Sequence, residues 1–260
     1  LVTESIPGNQ FISGVYNYCD RFCERCLLIR KCRVYAEEKV RTEQHRRKGE
    51  DPHDWAIVLD DVKKEFDKTM KLIRAFAQKE GIDLESVPDS EISSLPDPSD
   101  YPLDRLSREY MNKTGKFLTN CREKIEKFGR DLEVCGGITN GSVIDLKRII
   151  TDYETVLWYH TLIPVKIRRG LTSKLEAEEN SASDGDFDDL SAGDAAGSAK
   201  VAYYGLVRSI SALQVLYEWD RDDDTLTYLA LADRLRQMLD KEIPEHRSFR
   251  HPWFDAHPLR

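Results

Sequence analysis

Residues 103–132 read LDRLSREYMNKTGKFLTNCREKIEKFGRDL, and their apolar side chains return with a helical period. Leu106, Tyr110, Phe117, Leu118, Cys121, Ile125 and Phe128 fall mostly at steps of three, four and seven, which places them on one buried side of a helix. The same signal lies on both sides of this stretch. Upstream, Asp54 is set to cap a helix whose apolar face holds Val58, Val62, Phe66, Leu72, Ile73 and Phe76, and which ends near Gly81. Downstream, a helix from about Ser142 carries Leu146, Ile150, Tyr153, Leu157 and His160 on one stripe. Two more run from Ala199 to Trp219 and from Asp224 to Glu242, and a charged helical run follows Val34. No strand-like alternation of useful length interrupts them. The expectation is an all-α chain: a helical bundle of about six helices, antiparallel where connections are short, forming a single helical domain over 1–260.

Three segments stand outside this pattern. Residues 82–102 hold SSLPDPSDYP and read as an extended surface connection. Residues 174–198, KLEAEENSASDGDFDDLSAGDAAGS, are acidic and poor in large apolar groups, so they read as a mobile loop unable to offset its ordering entropy. The tail 244–260 is rich in proline and aromatics and reads as irregular chain packed across the bundle. Pro164 is expected to kink or end the fourth helix, because it removes one backbone donor.

The 260 residues are 40% apolar and 33% charged, which suits a core with a charged surface. No run of eighteen apolar residues is present, so no membrane-spanning helix is expected, and residues 1–8 lack the pattern of a secretory signal. The formal charge of −8 is uneven. Between Phe11 and Lys48 ten basic residues face five acidic ones, or +5, leaving −13 for the remainder. General nucleic-acid binding is disfavoured by that balance.

Chemistry concentrates in Cys19, Cys23, Cys26 and Cys32, spaced C-x3-C-x2-C-x5-C. Six cysteines in a chain this large, four of them crowded together, point to a reducing, cytoplasmic compartment rather than to a disulfide framework. Four thiolates serve a [4Fe–4S] cluster or tetrahedral zinc. Structural zinc usually joins two separated ligand pairs, whereas these ligands are strung together as in cluster-binding ferredoxin motifs. The cluster is therefore the first expectation and zinc the alternative. The basic residues nearby suit the negative charge of such a site. On a helix from Tyr16, Cys19, Cys23 and Cys26 share one face, and a break around Leu27–Lys31 must return Cys32 to them. The first three also match the spacing of radical S-adenosylmethionine enzymes, but no strands of a β/α barrel follow and Cys32 would close the open iron position.

His160 is the second candidate, six residues after Glu154 on the fourth helix, where the two form a possible buried polar site. A di-iron bundle needs paired Glu-x-x-His motifs, and the one copy, Glu50 to His53, contains Pro52. Asp184, Asp186 and Asp188 begin like a calcium loop, yet Asp189 and Ala195 occupy positions that need Gly and Glu. No phosphate loop, dinucleotide fingerprint or hydrolase elbow appears.

The combination FISGVYNYCDRFCERC…RKC with WYHTLIPVKIRRGL and GSAKVAYYGLVRSI is similar to an uncharacterised bacterial all-helical family with an N-terminal four-cysteine cluster. The resemblance covers most of the chain, implies one continuous domain and brings no assigned activity. Three functions follow as expectations: a [4Fe–4S] protein in electron transfer or redox sensing, a zinc-stabilised module binding a protein partner, or an enzyme with a helical-core site near His160.

Overall fold

The computed structural model describes residues 11–84, 97–134, 140–180 and 188–251. Among them lie six α-helices and no strand: α1 (Arg33–Arg47), α2 (Trp55–Glu80), α3 (Pro102–Val134), α4 (Asn140–Asn180), α5 (Asp188–Asp220) and α6 (Asp224–Glu242). None is long and apolar enough to cross a membrane.

The chain divides into two compact units, one of Leu1–Asn17 and Cys23–Leu95, the other of Tyr18–Phe22 and Pro96–Arg260. In the second unit, α3 packs on α4, α4 on α5, α5 on α6 and α6 back on α3, closing a four-helix bundle. Its core has two layers. One gathers Leu103, Leu106, Tyr110, Tyr159, Ile163, Ile167 and Leu171 with Leu206, Leu235 and Leu239. The other holds Phe117, Leu118, Cys121 and Ile125 against Ile149, Val156, Leu213 and Leu216. Each such large side chain contributes about 1.5–3 kcal/mol by leaving water. The stripe of α3 thus faces inward as its spacing demands.

The α4–α5 pair is the most extensive contact, and small residues let the two backbones approach. A Cβ on Gly170 would lie 3.3 Å from the carbonyl oxygen of Ala195. α4 runs through Pro164 without ending there; only the carbonyl of His160 is deprived of its helical donor.

The stretch expected as a mobile acidic loop, 174–198, is helical at both ends. α4 continues to Asn180 and α5 starts at Asp188, while 181–187 lie outside the described residues. The reason is a paired acid and small side chains: Asp194 receives two hydrogen bonds from Arg169 and one from Ser173, and Ala195, Ala196 and Ala199 are buried. In the tail, Pro244–Arg247 form a 3-10 turn and 248–251 are irregular. Cys135, Gly136, Gly137 and residues 85–96 and 252–260 lie outside the described residues.

In the first unit, Asp54 caps α2 by accepting from the Ala56 N–H at 2.8 Å, and Gly81 ends it in the left-handed region at φ 70°. α1 meets α2 through polar groups, with Arg41 and His45 both on Asp61. The apolar face of α2, expected to enter a bundle core, is instead exposed along most of its length. Periodicity defines a stripe; it does not say what covers it.

Candidate metal centre and its anchor

Residues 11–32 form turns and short 3-10 pieces, and the first α-helix among the described residues begins at Arg33. The shared helical face expected for Cys19, Cys23 and Cys26 therefore does not exist. The cause is local. Asp20 turns its carboxylate onto the backbone two residues on, accepting from the Phe22 N–H at 3.1 Å. Arg21 between them takes a left-handed φ of 56°, which stops helical propagation. The Cys26 N–H then donates to the Cys23 carbonyl at 3.1 Å, and Ile29–Lys31 form a second 3-10 turn. Cys32 stands at the N-cap of α1, and because residues 11–32 form no α-helix there is none for a break at Leu27–Lys31 to interrupt.

All four thiols are half-buried. Among the described residues no three His, Cys, Asp or Glu side chains converge as a metal site requires. The segment is a chain of turns with its cysteines spread along it.

The part of this segment that belongs to the second unit is tightly held. Asp20 is the anchor. Its carbonyl accepts from Trp158 Nε1–H at 2.8 Å, and its Oδ2 accepts from Arg208 Nη1 at 2.9 Å and from the Tyr159 hydroxyl. Arg208 Nη1 also donates to the Tyr159 oxygen at 2.5 Å, closing a three-membered ring of hydrogen bonds. Burial, then the Asp20 carboxylate, push the Tyr159 phenol well above its usual range, so it stays a donor at any physiological pH. Phe22 stacks on Trp158 with centroids 5.0 Å apart and meets Tyr159 edge-on. Tyr18 lies across Gly197, where a Cβ would come within 2.6 Å of the ring, and meets Phe249 edge-on at 5.1 Å.

Cys19 sits between these two anchored residues. Burial pushes its thiol up, while Arg21 and Lys166 pull it down toward the thiolate. Lys166 is itself lowered by burial and by Arg169. Asp194 keeps its charge against burial because Arg169 and Ser173 donate to it. Asp20 adds to the effect of burial, and the balance holds the Cys19 thiol above its ordinary range.

His160 and Glu154 lie further along α4. Glu154 is exposed and His160 half-buried. Nδ1–H of His160 donates to the Leu157 carbonyl at 2.6 Å, the ring lies against Gly115, and burial lowers its pKa. The sequence marks Trp158 and Tyr159 as core aromatics. It does not disclose Asp20 and Arg208 as partners, because 188 residues separate them. Compared with known proteins, the chain matches no family model, no curated protein and no solved structure.

Proposed function

We propose that Cys19, Cys23, Cys26 and Cys32 are the four ligands of a [4Fe–4S] cluster and that the protein serves electron transfer or redox sensing. The observation that carries this reading is four half-buried cysteines within fourteen residues of a turn-built segment. Three further features support it. The segment has no α-helical ladder to break, so gathering its thiols costs turn rearrangement rather than a helix. Its Asp20 tether fixes Cys19 in place, with Arg21 and Lys166 partly offsetting the burial and the Asp20 charge that raise its thiol. Full cysteine ligation leaves no iron position for substrate, which favours reversible one-electron chemistry over catalysis at iron.

Anaerobic purification with iron, zinc and acid-labile sulfide analysis and a visible spectrum tests the reading. About four iron and four sulfide per chain, with broad visible absorption, are expected. Replacing Cys26 with Ser should release them and lower thermal stability, because ligation energy is folding energy for this segment. One zinc without sulfide would move the protein to the structural-module class. No metal in wild type and no effect of Cys26→Ser would overturn the reading.

A further inference from the structure

The apolar face of α2 has a register. Trp55, Leu59, Val62, Phe66, Thr69, Ile73 and Phe76 follow one another at steps of four, three, four, three, four and three, the a and d positions of three consecutive heptads. Six of the seven are large and apolar, and those six are 43 to 77% exposed. α1 reaches α2 at Asp61, off this seam, and leaves it uncovered.

We propose that this seam pairs with the same seam of a second copy, antiparallel, so that two α2 helices form a short coiled coil and the protein is a dimer. This is independent of the metal reading. Antiparallel packing sets Leu59 against Phe76 of the second copy, Val62 against Ile73, and Phe66 against Thr69. Large then meets small at the centre. A parallel pair would stack Phe66 on its own copy and bury two Thr69 hydroxyls face to face.

Area and charge agree with a second copy as the occupant. At the observed exposures the seam offers roughly 600–800 Å² per copy, the size of a specific interface. On the flanks, Lys63 faces Met70 and Glu65 faces Leu72 of the second copy, so no like charges meet. The helix carries six basic and five acidic side chains, a near balance. A helix lying on an anionic bilayer would present a basic polar face.

Sedimentation equilibrium of the full chain from about 1 to about 100 μM reads the proposal. A reversible monomer–dimer equilibrium is expected. Phe66→Lys should raise the dissociation constant about thirtyfold or more, with unchanged helix content, because the position is exposed in the single chain. Lys71→Glu, on the opposite side of α2, should leave it unchanged. Thr69→Leu should tighten the dimer, about tenfold, since an apolar group then meets Phe66; no tightening would overturn the register. A wild-type monomer throughout, or a dimer indifferent to Phe66→Lys, overturns the proposal. So does a monomer that sediments with phosphatidylcholine–phosphatidylserine vesicles, which assigns the seam to a lipid surface. A monomer whose melting temperature falls with Phe66→Lys would assign the seam to the chain itself and overturn the proposal equally.

Discussion

Arg208 Nη1 lies 2.9 Å from Asp20 Oδ2 and joins the third helix of the bundle to the residue beside Cys19. Both side chains are partly shielded from water, so neither can be removed without leaving the other poorly satisfied. Asp20→Ala takes away the acceptor of Arg208, of Tyr159 and of the Phe22 N–H together. Its expected cost is about 2–3 kcal/mol. Tyr159→Phe keeps the ion pair and should cost only about 1 kcal/mol. Urea unfolding with unchanged slope checks both, and a difference of opposite order would show that Asp20 is not the centre of the anchor.

Two glycines of α5 should answer oppositely to alanine. At Gly197 a Cβ would stand 2.6 to 2.9 Å from three ring atoms of Tyr18, so the ring must leave its place against Phe249 and His251. A loss of about 1–3 kcal/mol is expected, despite the better helix propensity. At Gly193 a Cβ meets nothing within 4 Å. Gly193→Ala should therefore stabilise by about 0.5–1 kcal/mol. Thermal melts of the two variants decide it, and equal effects would refute the Tyr18 placement.

The pH dependence of stability should fall away on both sides of an optimum. His45 holds Glu50 on one ring nitrogen at 2.6 Å and Asp61 on the other at 2.9 Å, with Arg41 also on Asp61 at 3.3 Å. Hydrogen bonds that its ring donates to Glu50 and Asp61 raise its pKa above the ordinary 6.5. Its contribution is complete below 6.5 and is lost as pH rises through the higher folded value. His160 and His246 have the opposite sign, since burial lowers both, with Asp240 opposing at His246. Their contribution is present above 6.5 and is lost as pH falls through the lower folded value. Melting temperatures across this range should drop at both ends. His45→Gln should flatten the alkaline arm alone; an unchanged alkaline arm would disprove the assignment.

The helices whose ends carry their own signals were legible in the sequence. Asp54 and Gly81 bound α2, and the reading of Asp224 to Glu242 matches α6. The apolar stripe of α3 gave the core because every one of its residues points one way. The remainder depended on partners remote in sequence. Asp194 belongs to a helix rather than an acidic loop because Arg169 and Ser173, 25 and 21 residues away, take up its carboxylate. The cysteine segment is not helical because Asp20 spends its side chain on Phe22, Tyr159 and Arg208. Spacing alone identifies the four thiols as a set; their grouping about a metal is the proposal to be tested.

Thiol labelling separates the cysteines by environment. Cys121 is buried in the second core layer among Phe117, Leu118 and Ile125, and burial pushes its thiol up to about 12. A neutral buried thiol is inert, so native protein treated with iodoacetamide near pH 8 should leave Cys121 unmodified until denaturant is added. Cys19, Cys23, Cys26 and Cys32 are half-buried and reach solvent. In metal-free protein all four should be alkylated under native conditions, Cys19 the slowest because burial raises its thiol. In metal-loaded protein, thiolates engaged with metal cannot act as nucleophiles, so the four should be protected together and released together by chelation. Peptide mass spectrometry reads each site separately. Protection of only one or two of the four would overturn the four-thiol set, and labelling of Cys121 in the native state would overturn its placement in the core.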